Sequence, residues 1–110
     1  MQNKQVKFYS SGVVHGRYWG GGEGAYSARK FSGDTKEEVI EKATAALEDG
    51  SLDSGMGYEK LIGALLTIEE RTIVEIEGKQ FTNREYHGVF IGDLNEEQQD
   101  FLLEVEQQFN

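Results

Sequence analysis

Thr35-Lys36-Glu37-Glu38-Val39-Ile40-Glu41-Lys42-Ala43-Thr44-Ala45-Ala46-Leu47-Glu48-Asp49-Gly50 is the stretch from which the fold is read. Thr35-x-x-Glu38 fits a capping box, in which two side chains satisfy the first free backbone N–H groups of a helix. Val39, Ile40, Ala43, Ala46 and Leu47 recur at helical spacing on one face. Glu37 and Glu38 suit the positive end of the helix dipole, and Gly50 is placed to end the element. The spacing predicts an amphipathic helix over residues 35–49, and such a helix needs an apolar sheet or helix to cover.

The flanking sequence supplies strands. Val6 and Phe8 alternate with Lys7 and Tyr9, Ser10-Ser11-Gly12 reads as a turn, and Val13 to Trp19 reads as the return strand of a hairpin. Beyond Gly20-Gly21-Gly22-Glu23-Gly24, where regular structure costs extra backbone entropy, Ala25 to Phe31 reads as a third strand. Residues 50–57, with Gly50, Gly55 and Gly57, read as a loop, followed by a short helical turn around Tyr58 to Leu65. Thr72-Ile73-Val74-Glu75-Ile76-Glu77 is rich in β-branched residues, Gly78-Lys79 punctuates it, and Phe81 begins the return of a second hairpin. Val89-Phe90-Ile91 gives another strand. Asn95-x-x-Gln98 is a second capping box, and Phe101, Leu102, Val105 and Phe109 make the closing segment, residues 95–109, an amphipathic helix.

The expected fold class is therefore α+β: an antiparallel sheet of about five strands with two amphipathic helices over one sheet face, a two-layer single domain over residues 1–110. With no Pro and no Ser/Pro/Gly tract of linker length, the 110 residues show no domain boundary, and they suffice to close one small core. Zero Cys removes disulfide frameworks, Cys-ligated metal sites and thiol nucleophiles together, which fits a reducing cytoplasm. The longest apolar stretch, Leu61-Ile62-Gly63-Ala64-Leu65-Leu66, is far short of a membrane span, and the polar start Met1-Gln2-Asn3-Lys4-Gln5 has no apolar signal core. Cytoplasmic localisation without membrane association is the expectation.

Charge is unevenly distributed. The net value of −9 argues against direct nucleic-acid binding by the molecule as a whole. Residues 1–33 nevertheless hold Lys4, Lys7, Arg17, Arg29 and Lys30 against Glu23 alone. No Lys or Arg follows Arg84, whereas Glu85, Asp93, Glu96, Glu97, Asp100, Glu104 and Glu106 do, so the closing helix should carry an anionic outer face. Such a face is often only a solvated surface. Carboxylates fixed on a helix also steer encounter with a cationic protein, including the groove of a nucleic-acid-handling protein. Glu96, Glu97, Asp100 and Glu104 are the partner-contacting candidates, and the expected function is a non-catalytic binding or regulatory protein, an inhibitor of such a partner among them.

A different class of function is offered by residues 15–30, which concentrate aromatics, cations and glycines. Arg17, Tyr18, Trp19, Gly21, Gly22, Tyr26 and Arg29 are candidates for holding a nucleotide or another anionic small molecule: backbone N–H groups surround the anion, rings stack on a base, and guanidinium groups meet phosphate. The same rings, packed on the sheet, suit a twisted hairpin with no ligand, and exposed aromatics would equally serve a homo-oligomer. Gly20-x-Gly22-x-x-Ala25 matches the dinucleotide fingerprint only as text, since no adequate helix follows, and Gly78-Lys79-Gln80 is not a P-loop.

Other chemistry has thinner support. Asp49-x-Ser51-x-Asp53 lacks the glycine and the bidentate Glu of a calcium loop, with Ser54 and Lys60 in their places. The only histidines, His15 and His87, are remote in sequence, and Glu85-x-His87 puts two ligand-type side chains on one strand face; ordinary polar or partly buried histidines are the expectation over a two-histidine metal site, and no metal is assigned. Neither a nucleophile elbow nor a marked acid–base pair is present, so no catalytic residue and no cofactor is assigned. An enzyme built on His15 or His87 requires a recess that sets one of them beside a carboxylate.

Overall fold

A computed structural model describes residues 2–109. The chain forms β1 (Gln2–Arg17), β2 (Glu23–Ser27), β3 (Phe31–Gly33), α1 (Lys36–Asp49), β4 (Lys60–Ile76), β5 (Lys79–Gly92) and α2 (Glu96–Phe109). All pairings are antiparallel, in the order β2-β1-β4-β5, with β3 pairing β1 on the β2 side. The α+β class, the five-stranded antiparallel sheet and the two helices are those expected. Both caps form: Gln98 N donates to Asn95 Oδ1 at 2.8 Å and Asn95 N to Gln98 Oε1 at 2.9 Å, a reciprocal box, while Glu38 N donates to Thr35 Oγ1 at 3.1 Å and the Glu38 carboxylate accepts from the N–H one residue before the cap, Asp34 N, at 3.0 Å. No helix among the described residues is long and apolar enough to cross a membrane.

The strands are longer and fewer in their turns than the sequence reading has them. Ser10-Ser11-Gly12 is not a turn but the middle of β1, which pairs with β4 from Gln2↔Ile76 to Arg17↔Lys60 with one irregularity at His15/Gly16. The small residues serve close packing instead: Ser10 is buried and its Oγ accepts from Phe31 N, and a Cβ on Gly12 would lie 2.1 Å from Leu65 O. The expected third strand divides into β2 and β3, separated where Ala28 bridges to Asp53. Tyr58 to Leu65 holds no helical turn, because β4 begins at Lys60 and its apolar residues are drawn into the ladder. The segments around Thr72, Phe81 and Val89 are two long strands joined at Glu77-Gly78, both with positive φ as a tight two-residue hairpin turn requires.

The helices lie on opposite faces of the sheet, so the domain has three layers and not two. Neighbouring strand residues point to opposite sides. Val14, Ala64, Leu66, Ile68 and Ile91 pack with Ala43, Ala46 and Leu47 of α1, while Val13 and Leu65 pack with Leu102 of α2. The centre of the β1–β4 ladder is thereby buried from both sides. Beyond it the ladder runs on as an arm, which accounts for a long axis of 59 Å against 26 and 22 Å and leaves Ile76 and Phe81 about half exposed.

Gly12, at φ +142°, has backbone on its missing side chain's path, whereas a Cβ on Gly88 would meet only Leu65 Cδ1 at 4.0 Å. Gly12→Ala should lower the unfolding free energy by about 3 kcal/mol or more, since both backbone strain and a hard backbone contact oppose it. Gly88→Ala should be neutral or raise it by up to about 1 kcal/mol. Parallel urea melts of the two variants check the pair.

Candidate functional site

The closing helix displays the four expected partner-contacting acids. At 100° per residue, Glu96, Asp100, Glu104 and Glu97 fall within an arc of about 100° on α2, and the buried Leu102 lies roughly opposite that arc. All four are exposed, and among the described residues none is in an ion pair. Phe101 and Leu103 border the arc and are 39% and 42% exposed, so the stripe has an apolar margin on each side.

The glycine-rich segment is a hairpin. Its tip closes through Tyr18 N donating to Gly22 O at 3.0 Å and Gly21 N donating to Tyr18 O at 3.1 Å, so these two N–H groups are engaged within the loop. Gly16 and Gly24 face each other across β1 and β2 and leave room for two rings. The Tyr58 ring lies where a Cβ on Gly16 would be, at 2.4 Å, and Tyr18 covers Gly24. The two tyrosine rings pack against each other at a centroid separation of 5.1 Å, tilted by 37°. Tyr26 stands opposite Val14 and is 39% exposed. Trp19, 73% exposed, and Arg17 remain open to solvent.

Arg29 is not brought to the others. Arg17 opposes Glu23 at one end of β2, while Arg29 follows its other end, at least about 14 Å away along the strand. Its Nε donates to Ser51 O at 2.9 Å and its backbone N to Leu52 O at 2.7 Å, which fastens the loop after α1. In that loop Asp53 accepts N–H groups from Gly55, Met56 and Gly57, and Asp49 accepts from Ser51, so both carboxylates organise the turn.

The hairpin and the acidic helix meet at a buried histidine. His15 Nε2 lies 2.7 Å from Glu23 Oε1, and Gln98 Nε2 donates to the same oxygen at 3.0 Å. The Phe101 ring stands edge-on to His15 at 5.7 Å. These residues line a shallow recess of about 400 Å³ with Asn95 and Glu97. The hydrogen bond with His15 chiefly, then that from Gln98, holds the Glu23 carboxyl below the usual carboxylate range. A histidine beside a carboxylate in a recess is the arrangement a histidine enzyme requires, but the His15 side chain is only 4% exposed and no hydroxyl nucleophile lines the recess. The pair's evident work is to lock the tip of the hairpin onto the first turns of α2. Sequence reasoning missed this junction: Glu23 stood out only as the lone acid of its region, and nothing linked it to Gln98.

Comparison with family models, curated proteins and solved structures finds no match, so the function rests on this geometry.

The lowered Glu23 pKa sets a sign. A carboxyl whose pKa is depressed by folding adds stability above its unfolded value, near 4.5, and loses that contribution as pH falls through the folded value. In wild type the Glu23 carboxyl should titrate below the ordinary glutamate value of 4.5. In His15→Ala it should move back up, while Glu23→Gln should flatten the stability profile below pH 4.5. Carboxyl NMR titration with urea melts at several pH values measures both.

Proposed function

We propose that this protein is a non-catalytic binding module that docks on a cationic protein surface through the outer face of α2. The observation that carries this reading is the stripe of Glu96, Glu97, Asp100 and Glu104, exposed and without an ion-pair partner among the described residues. The stripe is unfavourable to the helix itself. Glu96, Asp100 and Glu104 follow one another at i, i+4, where like charges cost a few tenths of a kcal/mol per pair. Opposite charge brought by a partner relieves that repulsion, and the apolar margins at Phe101 and Leu103 offer area that charge alone does not. Regulation of the bound protein, inhibition included, follows where docking covers its working groove.

The junction at His15, Glu23 and Gln98 supports the same reading structurally. It fixes the start of α2 against the sheet, so the carboxylates are presented by a rigid element and less ordering entropy is lost on binding.

Asp100→Lys/Glu104→Lys tests the proposal with little risk to the fold, since both residues are exposed and lie beyond the first turn. Partners retained by the full-length wild-type protein from its own cells should bind the double variant at least about tenfold more weakly, with a shallower salt dependence. Glu37→Lys/Glu41→Lys on α1 should bind as wild type does. Equal retention by both double variants and wild type, or equal loss in both variants, overturns docking by α2.

A further inference from the structure

We propose that Glu70, Glu85 and His87 form a binding site for a divalent first-row transition-metal ion on the β4–β5 ladder. Glu70 lies directly opposite Glu85 in register, and His87, two residues after Glu85, points to the same face. One ligand atom from each of the three lies within 4.8 Å of the other two. His87 forms no ion pair with either carboxylate. The groups are thus near enough to share one ion without satisfying one another.

The surrounding charge makes the cluster conspicuous. Like charges directly opposite on an antiparallel pair are destabilising. On the other face of this same ladder the adjacent acid, Glu69, is compensated by Arg71 at 2.6 Å and Arg84 at 3.5 Å. On the cluster's face the counterpart of Glu70 on β1 is Phe8, and the next pair along is Thr72 and Asn83. Among the described residues no Lys or Arg pairs with Glu70 or Glu85. A bound dication would remove the repulsion. It would also explain why a histidine is set beside two carboxylates whose charge the protein leaves uncompensated.

The donor set selects the ion. One imidazole nitrogen and two carboxylate oxygens suit Zn²⁺, Mn²⁺, Fe²⁺ or Co²⁺, whereas Ca²⁺ and Mg²⁺ prefer all-oxygen sites. With metal–ligand bonds near ~2.1 Å, tetrahedral ligands stand about 3.4 Å apart, so the side chains need to close by roughly 1.4 Å at most. Glu85 is exposed and Glu70 and His87 are half-buried, so rotation of Glu85 supplies the closure while the ladder holds the other two. Three protein ligands leave at least one position for water.

Metal-free full-length protein titrated with ZnCl₂ by calorimetry should show one saturable site. Affinity should fall at least tenfold in His87→Ala and in Glu85→Gln, and stay unchanged in Glu75→Gln, an acid outside the cluster. Melting temperatures of the metal-free variants establish that they remain folded. In wild type, substoichiometric MnCl₂ should broaden the ring resonances of His87 and spare those of His15, a readout needing no substitution. The proposal is overturned by the absence of a saturable zinc site, by equal zinc affinity in His87→Ala and wild type, by CaCl₂ competing at the zinc concentration, or by equal broadening of both histidines.

Discussion

The β1–β4 ladder is the constraint on which the rest of the structure depends. Along its centre both faces are buried. Val13 and Leu65 close the core under α2, while Val14, Ala64, Leu66 and Ile68 close the core under α1. Each helix covers one side of the same two strands, so neither core can shift without the other. A one-residue slip would exchange the faces, turning His15 toward α1 and Val14 toward α2. Small residues make the arrangement feasible, since at Gly12 the neighbouring strand's carbonyl occupies the space a side chain would take.

That double-sided ladder also determines what the glycine-rich segment does. At the end of β1, His15 faces α2 and Gly16 faces the opposite layer, so the hairpin is gripped from both sides. Tyr58 fills the space above Gly16, and Gln98 with Phe101 holds the His15–Glu23 pair. A stretch whose composition resembles a ligand cradle is thus employed largely as the joint between the sheet and the start of α2. Arg17 and Trp19 stay exposed at the tip next to that joint.

Local chemistry was the legible part of this fold. Thr35 with Glu38, and Asn95 with Gln98, mark helix starts because a cap is complete within four residues, and the helical period alone exposes Glu96, Glu97, Asp100 and Glu104. Strand length was not legible, because Ser10-Ser11-Gly12 has the composition of a turn and only the partner strand reveals that these residues are small to admit it. The layering did leave a signal. Val13-Val14 and Ala64-Leu65-Leu66 are apolar without alternation, the pattern of strands covered on both faces, and this argues for helices on opposite sides. Glu70 and the Glu23–Gln98 contact needed the register itself, since no local rule sets Glu70 opposite Glu85 or joins residues 75 positions apart.

The same layering bears on why the charge asymmetry persists in the folded chain. Lys42 bonds Ser32 O and lies 3.3 Å from Glu38, and Arg29 holds the loop that follows α1, so these two cations serve α1 and its flanks, while Lys7 pairs with Asp34 just before that helix. The acidic stripe stands on the far side of the sheet. Among the described residues none of the four carboxylates of the stripe is in an ion pair, so contact within the chain does not neutralise it. Nor does the helix explain its own acids in full. Glu96 and Glu97 complement the positive end of the dipole, but Asp100 and Glu104 lie past the first turn, and no basic residue occupies the last. The helix dipole accounts for half of the stripe, and the other half, Asp100 and Glu104, is what the proposed docking on a cationic partner would use.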